Sequence, residues 1–133
     1  MTLSYAEAHD LLESYRVART TYDGDAWTGL FREEGELVLD PFEPPLVGHN
    51  ALRAYLLEVA DAERSYDLVI ERHWVSGDTA LAAWHASWNL VGNETDKVRQ
   101  AGFLSAEVGE DGRIARLRLW PVTREHRGAR EGA

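Results

Sequence analysis

Near the N-terminus apolar residues recur every three or four positions. Ala8, Leu11, Leu12, Tyr15, Ala18 and Tyr22 fall on one stripe of a helix. Ser4 and Glu7 have the S-x-x-E spacing of a capping box, which fixes where that helix starts. The run Asp23-Gly24-Asp25 breaks the stripe. Asp25 is the expected N-cap of a short second helix with Trp27, Leu30 and Phe31 on one face. Gly35 reads as a breaker before a strand from Glu36 to Asp40, and Pro41, Pro44 and Pro45 prevent a long regular continuation. A third helix is expected from about Asn50 to Ala60, with Ala51, Leu52, Tyr55, Leu56 and Val59 on one side.

From Ser65 onward the period changes to two. "YDLVIERHWV" and "TALAAWHASWNLV" are separated by Ser76-Gly77-Asp78, a hairpin signal. "KVRQAGFLSAEV" and "RIARLRLWPV" flank "GEDG" as a second hairpin. The predicted order is α-α-β-β-α followed by a four-strand antiparallel meander. This is an α+β domain with its helices packed on one face of a curved sheet. Residues 1–123 are expected to form this single domain. Residues 124–133, charged and glycine-containing with no apolar anchor, are expected to form a flexible tail.

Composition narrows the function. A chain of 133 residues holds one domain with a sizeable core. Cysteine is absent, so disulfides and thiolate metal sites are not available. The net charge of −9 argues against nucleic acid and anionic membranes, both of which require a basic footprint. No apolar run approaches the ~20 residues of a membrane span, and a cytoplasmic protein is expected. His9, His49, His73 and His126 lack paired ligand spacing, so no metal site is expected.

The segments "YDGDAWTGLF", "LDP", "GHNALRAYL", "GDTALAAW" and "DGRIARLRLW", in this order and spacing, resemble the nuclear transport factor 2-like superfamily, and most of all its SnoaL-like and ketosteroid isomerase-like branches. The resemblance implies a cone in which three helices and a strongly bent sheet enclose a pocket. It places Asp40, before Pro41, at the position of the general base, and Tyr15 at that of an oxyanion donor. Leu104 stands where those isomerases carry a second, acidic donor, which is a departure from their pattern. The same resemblance makes the His85 face of its strand the concave one, with Gln100 and Leu104 joining it. Strand alternation puts Val38 and Asp40 on one face, and Leu68, Ile70 and Trp74 with Leu81, Ala83, His85 and Ser87.

The convergent polar set is therefore Tyr15, Asp40, His85, Ser87 and Gln100. The wall expected around it comprises Trp27, Phe31, Val38, Tyr55, Leu56, Ile70, Leu104, Leu117 and Leu119. Each polar member has another reading. An Asp before Pro also makes a turn that caps a backbone N–H. A strand histidine can be a neutral core residue, and a helical tyrosine can simply pack its ring.

An Asp40 carboxylate desolvated in such a pocket would be a stronger base. With Tyr15 or His85 polarising a carbonyl, it could abstract an α-proton from a cyclic, largely apolar carbonyl compound. That describes an isomerase, cyclase or dehydratase without a cofactor. Epoxide hydrolysis needs an inward arginine, for which Arg72 is available, and a second inward acid, which is not found. A non-catalytic ligand-binding or assembly module is the third reading. The opposite sheet face, expected to carry Trp84, Trp88, Phe103 and Trp120, suggests a two-fold homodimer, with Arg116 and Arg118 pairing with Glu71 or Glu107.

Overall fold

The computed structural model describes residues 2–127. Helix α1 spans Tyr5–Thr21, and its capping box forms as expected. The Glu7 backbone N–H donates to the Ser4 hydroxyl at 3.0 Å, and the Ser4 N–H donates to the Glu7 carboxylate at 2.9 Å. Helix α2 spans Gly24–Gly29, and its N-cap is Asp23 rather than Asp25. The Asp23 carboxylate accepts from the Ala26 N–H at 3.1 Å, because Gly24 and not Asp25 begins the turn.

Strand β1 runs Phe31–Val38, β2 is the short pair Leu46–Val47, and helix α3 spans His49–Ala62. Four long strands follow: β3 Glu63–Ser76, β4 Thr79–Leu90, β5 Asn93–Val108 and β6 Ile114–Arg127. The two-residue turn at Gly77-Asp78 pairs Ser76 with Thr79, as its sequence predicts. Gly77 sits at φ 61°, a conformation a side chain resists.

All six strands join one curved, unclosed sheet in the order β2-β1-β6-β5-β4-β3. The meander is antiparallel throughout, and β1 joins it parallel to β6. Strand β6 continues to Arg127, so residues 124–127 of the expected tail belong to the sheet, and 128–133 lie outside the described residues.

The three helices cover one face. Trp27, Phe31, Leu37, Leu52, Leu56, Leu104, Ile114 and Leu117 are fully buried beneath them. Each such side chain stabilises the fold by roughly 1.5–3 kcal/mol. The Trp27 indole N–H donates to the Leu52 carbonyl at 3.0 Å, so this large ring is buried without leaving a donor unpaired.

Candidate functional site

Asp40 lies outside the cone. Strand β1 ends at Val38, and the chain turns before Asp40, which is exposed. Its carboxylate accepts the Phe42 N–H at 2.9 Å and its carbonyl accepts the Glu43 N–H at 3.1 Å. This is the Asx turn that an Asp before Pro favours. Val38 is on the outer side as well, because Leu37 pairs with Leu117 and occupies the inner face. The expected inward Asp40 is corrected accordingly.

A single inserted residue decides the histidine. Arg72 pairs with Ala83 and Ile70 with Trp84, so Glu71 is extra and forms a β-bulge. On its two sides the inward residues change parity, from Leu68 and Ile70 to His73 and Val75. In β4 the inner face carries Ala80, Ala82, Trp84, Ala86 and Trp88. The expected inner set of Leu81, Ala83, His85 and Ser87 therefore faces outward, and Trp84 and Trp88, expected outside, face in. His85 is exposed and its Nδ1 lies 2.6 Å from the Glu71 carboxylate on the convex side. Trp74, expected to share a face with Ile70, is also outward. Arg72, the arginine considered for epoxide hydrolysis, is exposed over the Trp74 ring at 5.2 Å.

Tyr15 is on the inside. Its ring is buried against Trp27, with centroids 5.8 Å apart. Trp27 in turn meets Phe31 at 5.4 Å and Tyr55 at 6.3 Å. Of the expected wall, Trp27, Phe31, Leu56, Leu104 and Leu117 are fully buried core. Tyr55, Ile70, Gln100 and Leu119 are inner-face residues that remain half-buried. The inner rows run Ile70–Trp84–Gly102–Pro121 and Leu68–Ala86–Gln100–Thr123 across β3 to β6. Burial declines toward Thr123, where Gln100 donates to the exposed Thr123 hydroxyl at 3.0 Å. Gly102 is required in its row, since a Cβ there would meet the Trp120 carbonyl oxygen at 2.2 Å.

The structure thus separates Tyr15 from Asp40 and His85. What it gathers around Tyr15 is a cluster that the sequence did not single out. Arg19, one turn beyond Tyr15, donates to the Glu63 carboxylate at 3.1 and 2.9 Å, and both side chains are buried. Tyr22 donates to the same carboxylate at 2.9 Å. The guanidinium lies 3.9 Å from the centre of the Tyr66 ring, which meets Trp88 at 5.6 Å. The one signal available was an arginine on the apolar stripe, four residues after Tyr15.

Burial is the largest influence on the phenols of Tyr15, Tyr55 and Tyr66, and holds each above the ordinary tyrosine range. They are protonated donors at neutral pH. The hydroxyls of Tyr15 and Tyr66 have no hydrogen-bond partner among the described residues. The indole N–H of Trp84, 4% exposed, is by contrast fully buried and has no acceptor among the described residues. Glu63 is different. Three donors occupy its carboxylate, which makes it a fixed ion-pair partner.

The outer face keeps Phe103 and Trp120 from the expected apolar set and adds Trp74, whose ring is 6.2 Å from Phe103. Arg116 pairs within the chain, with Glu36 at 3.4 Å and Glu107 at 3.7 Å. Among the described residues no group of histidines and carboxylates has a metal-binding arrangement, and no helix is long and apolar enough to cross a membrane.

Comparison with known proteins places this geometry. No curated protein matches the chain. Among solved structures, RV0760c from Mycobacterium tuberculosis superposes with a TM-score of 0.78 at 16% identity, over 92% of this chain and 98% of that one. A computationally designed 17-OHP binder superposes at 0.75 with 16% identity, over 90% and 98% of the two chains. SalBIII, an epoxide hydrolase/cyclase-like enzyme of pyran ring formation in the polyether salinomycin, gives 0.76 at 16% identity, over 88% and 92%. At such identities the likeness is one of fold. A profile of the SnoaL-like domain matches residues 12–117, from the middle of α1 to the buried Leu117 of β6. The match takes in most of α1, all of α2, α3 and β1 to β5, the start of β6 and the inner cluster, and the chain belongs to the SnoaL-like domain family, within the nuclear transport factor 2-like superfamily.

Proposed function

We propose that the protein binds a small, largely apolar ring compound bearing a hydrogen-bond acceptor on the inner face of its sheet, and that it does so without proton abstraction by Asp40. The observation carrying this reading is the buried indole N–H of Trp84, which has no acceptor among the described residues, on the inner face where the protonated phenol of Tyr15 also lies. A buried donor left unpaired costs about 1–3 kcal/mol, and a ligand carbonyl or ether oxygen removes that penalty. The aromatic rings of Trp27, Tyr55, Tyr66 and Trp88 supply the apolar surface that small-molecule sites use. A designed 17-OHP binder and an epoxide hydrolase/cyclase-like enzyme share the fold, which supports a small-molecule role. Catalysis by the expected trio is disfavoured because Asp40 and His85 both point away from Tyr15.

The test is a tryptophan-fluorescence titration with a steroid enone. Saturable quenching is expected, weakened about tenfold by Tyr15→Phe or Trp84→Phe, the equivalent of one lost hydrogen bond. Asp40→Asn should leave it unchanged. Non-saturable quenching would sink the reading. Asp40-dependent deuterium uptake at the α-carbon of the enone would replace it with the catalytic one.

The same reading includes self-association through the outer aromatic belt. Trp74, Phe103 and Trp120 are 37%, 56% and 44% exposed. A contiguous aromatic patch of this kind is costly to leave in water. We take a second copy of the chain as its occupant.

A further inference from the structure

Beyond the aromatic belt, a groove of about 500 Å³ opens on the outer face of the sheet. Two cross-strand rows line it. One runs Asp67, Ser87, Arg99, Arg124 and the other Val69, His85, Ala101, Val122. Arg99 and Arg124 are direct register partners on β5 and β6, and Lys97 borders the same groove. Like charges opposite one another on adjacent strands destabilise a sheet. Among the described residues no carboxylate pairs with Arg99, Arg124 or Lys97 to offset this repulsion.

Of the nearby acids, Glu71 holds His85, and Asp67 stands at the far end of its row, separated from Arg99 by Ser87. In a chain of net charge −9, three cations gathered without partners are a local inversion of sign. Ala101 and the 76% exposed Val122 add an apolar floor beside them.

We infer that this groove binds a small organic carboxylate with an apolar body. The guanidinium forks of Arg99 and Arg124 match the planar geometry of a carboxylate and would donate paired N–H bonds to its oxygens. Lys97 adds charge at the rim, and the apolar body lies on Ala101 and Val122. The groove and the inner-face residues Tyr15 and Trp84 lie on opposite sides of the sheet, so this site stands or falls independently of the inner one.

The experiment is a ¹⁵N–¹H NMR titration of the full chain with benzoate, alongside benzamide and inorganic phosphate. Saturable shifts are expected at the amides of Arg99, Ala101, Val122 and Arg124. Arg99→Gln and Arg124→Gln should each weaken binding at least about tenfold, the loss of one charge-assisted pair. Arg124→Gln also relieves the repulsion, so the unliganded variant should melt no lower than the parent, which shows that its fold is kept. Benzoate should raise the melting temperature of the parent but not of that variant. Shifts located elsewhere, or unaffected by both substitutions, would overturn the site. Equal binding of benzamide would show that the carboxylate is unused, and equal binding of phosphate that the apolar floor is unused. Either result rejects the inference. Shifts that follow protein concentration instead of benzoate would reject it too, by assigning the arginines to a second copy.

Discussion

Arg19 on α1 and Glu63 at the junction of α3 and β3 face each other through two parallel hydrogen bonds of 3.1 and 2.9 Å, with both side chains about 6% exposed. This pair ties the first helix to the edge strand of the sheet, and the tyrosines that line the inner face are arranged around it. Its desolvation is repaid only because both carboxylate oxygens and the guanidinium fork are matched.

Breaking one side of the pair should therefore be costly. Glu63→Gln leaves the buried Arg19 charge uncompensated and should destabilise by about 3–5 kcal/mol in urea unfolding. The double replacement Arg19→Met with Glu63→Leu removes both charges and should recover most of that loss. If the single and double variants were equally unstable, packing and not the charge pair would be what holds this corner.

Alkaline pH should act on the same region. The phenols of Tyr15, Tyr55 and Tyr66 are held above their ordinary value, with burial the first cause. A folded-state pKa above the unfolded one means the stability is fully present below about pH 10 and is lost as pH rises through and beyond it. Each group can contribute a slope of up to about 1.4 kcal/mol per pH unit there. Tyr15→Phe should flatten the decline of urea midpoints between roughly pH 10 and 11.5. An unchanged slope would mean that Tyr15 ionises as freely folded as unfolded.

Asp40 and His85 should matter little to the fold. Asp40→Ala removes one exposed hydrogen bond to the Phe42 N–H, worth under about 1 kcal/mol. His85→Ala removes an exposed contact with Glu71, in the range of about 0–1 kcal/mol. Thermal melts should place both variants within a few degrees of the parent. A large loss from Asp40→Ala would indicate that the turn after β1 supports more than itself.

Self-association should depend on the belt. Trp120→Glu or Phe103→Glu introduces a charge at the centre of the outer face and should shift sedimentation of a dimer toward the monomer at micromolar concentration. Trp88→Phe, on the inner face, should not. A parent protein that sediments as a monomer at those concentrations would refute the dimer directly.

Periodicity, with caps and turn signals, located all three helices and the four long strands, because spacing of 3.6 against 2.0 is a local property of the chain. The capping box at Ser4 and Glu7 and the turn at Gly77-Asp78 were legible for the same reason: their partners lie within three residues. The α+β class followed from the order of those elements, and the superfamily from the resemblance carried by segments such as "YDGDAWTGLF" and "DGRIARLRLW".

Which face of each strand looks inward was not local. The extra residue at Glu71 reverses parity halfway along β3, and no turn residue or glycine marks it in the sequence. Trp84 and Ala86, not His85 and Ser87, then line the covered side, where helical aromatics can pack against a tryptophan but not hydrate a histidine. Asp40 was misplaced by a similar effect. Alternation was carried two residues past Val38, where the strand had already ended and a turn had begun. The Arg19–Glu63 pair spans 44 residues of chain, a distance over which only the closed fold determines neighbours. The sequence by itself determined the elements and their order, because those depend on contacts within a turn or two. Only the tertiary structure decided what faces the interior, because a bulge, a strand end and a buried ion pair each depend on what lies across the sheet.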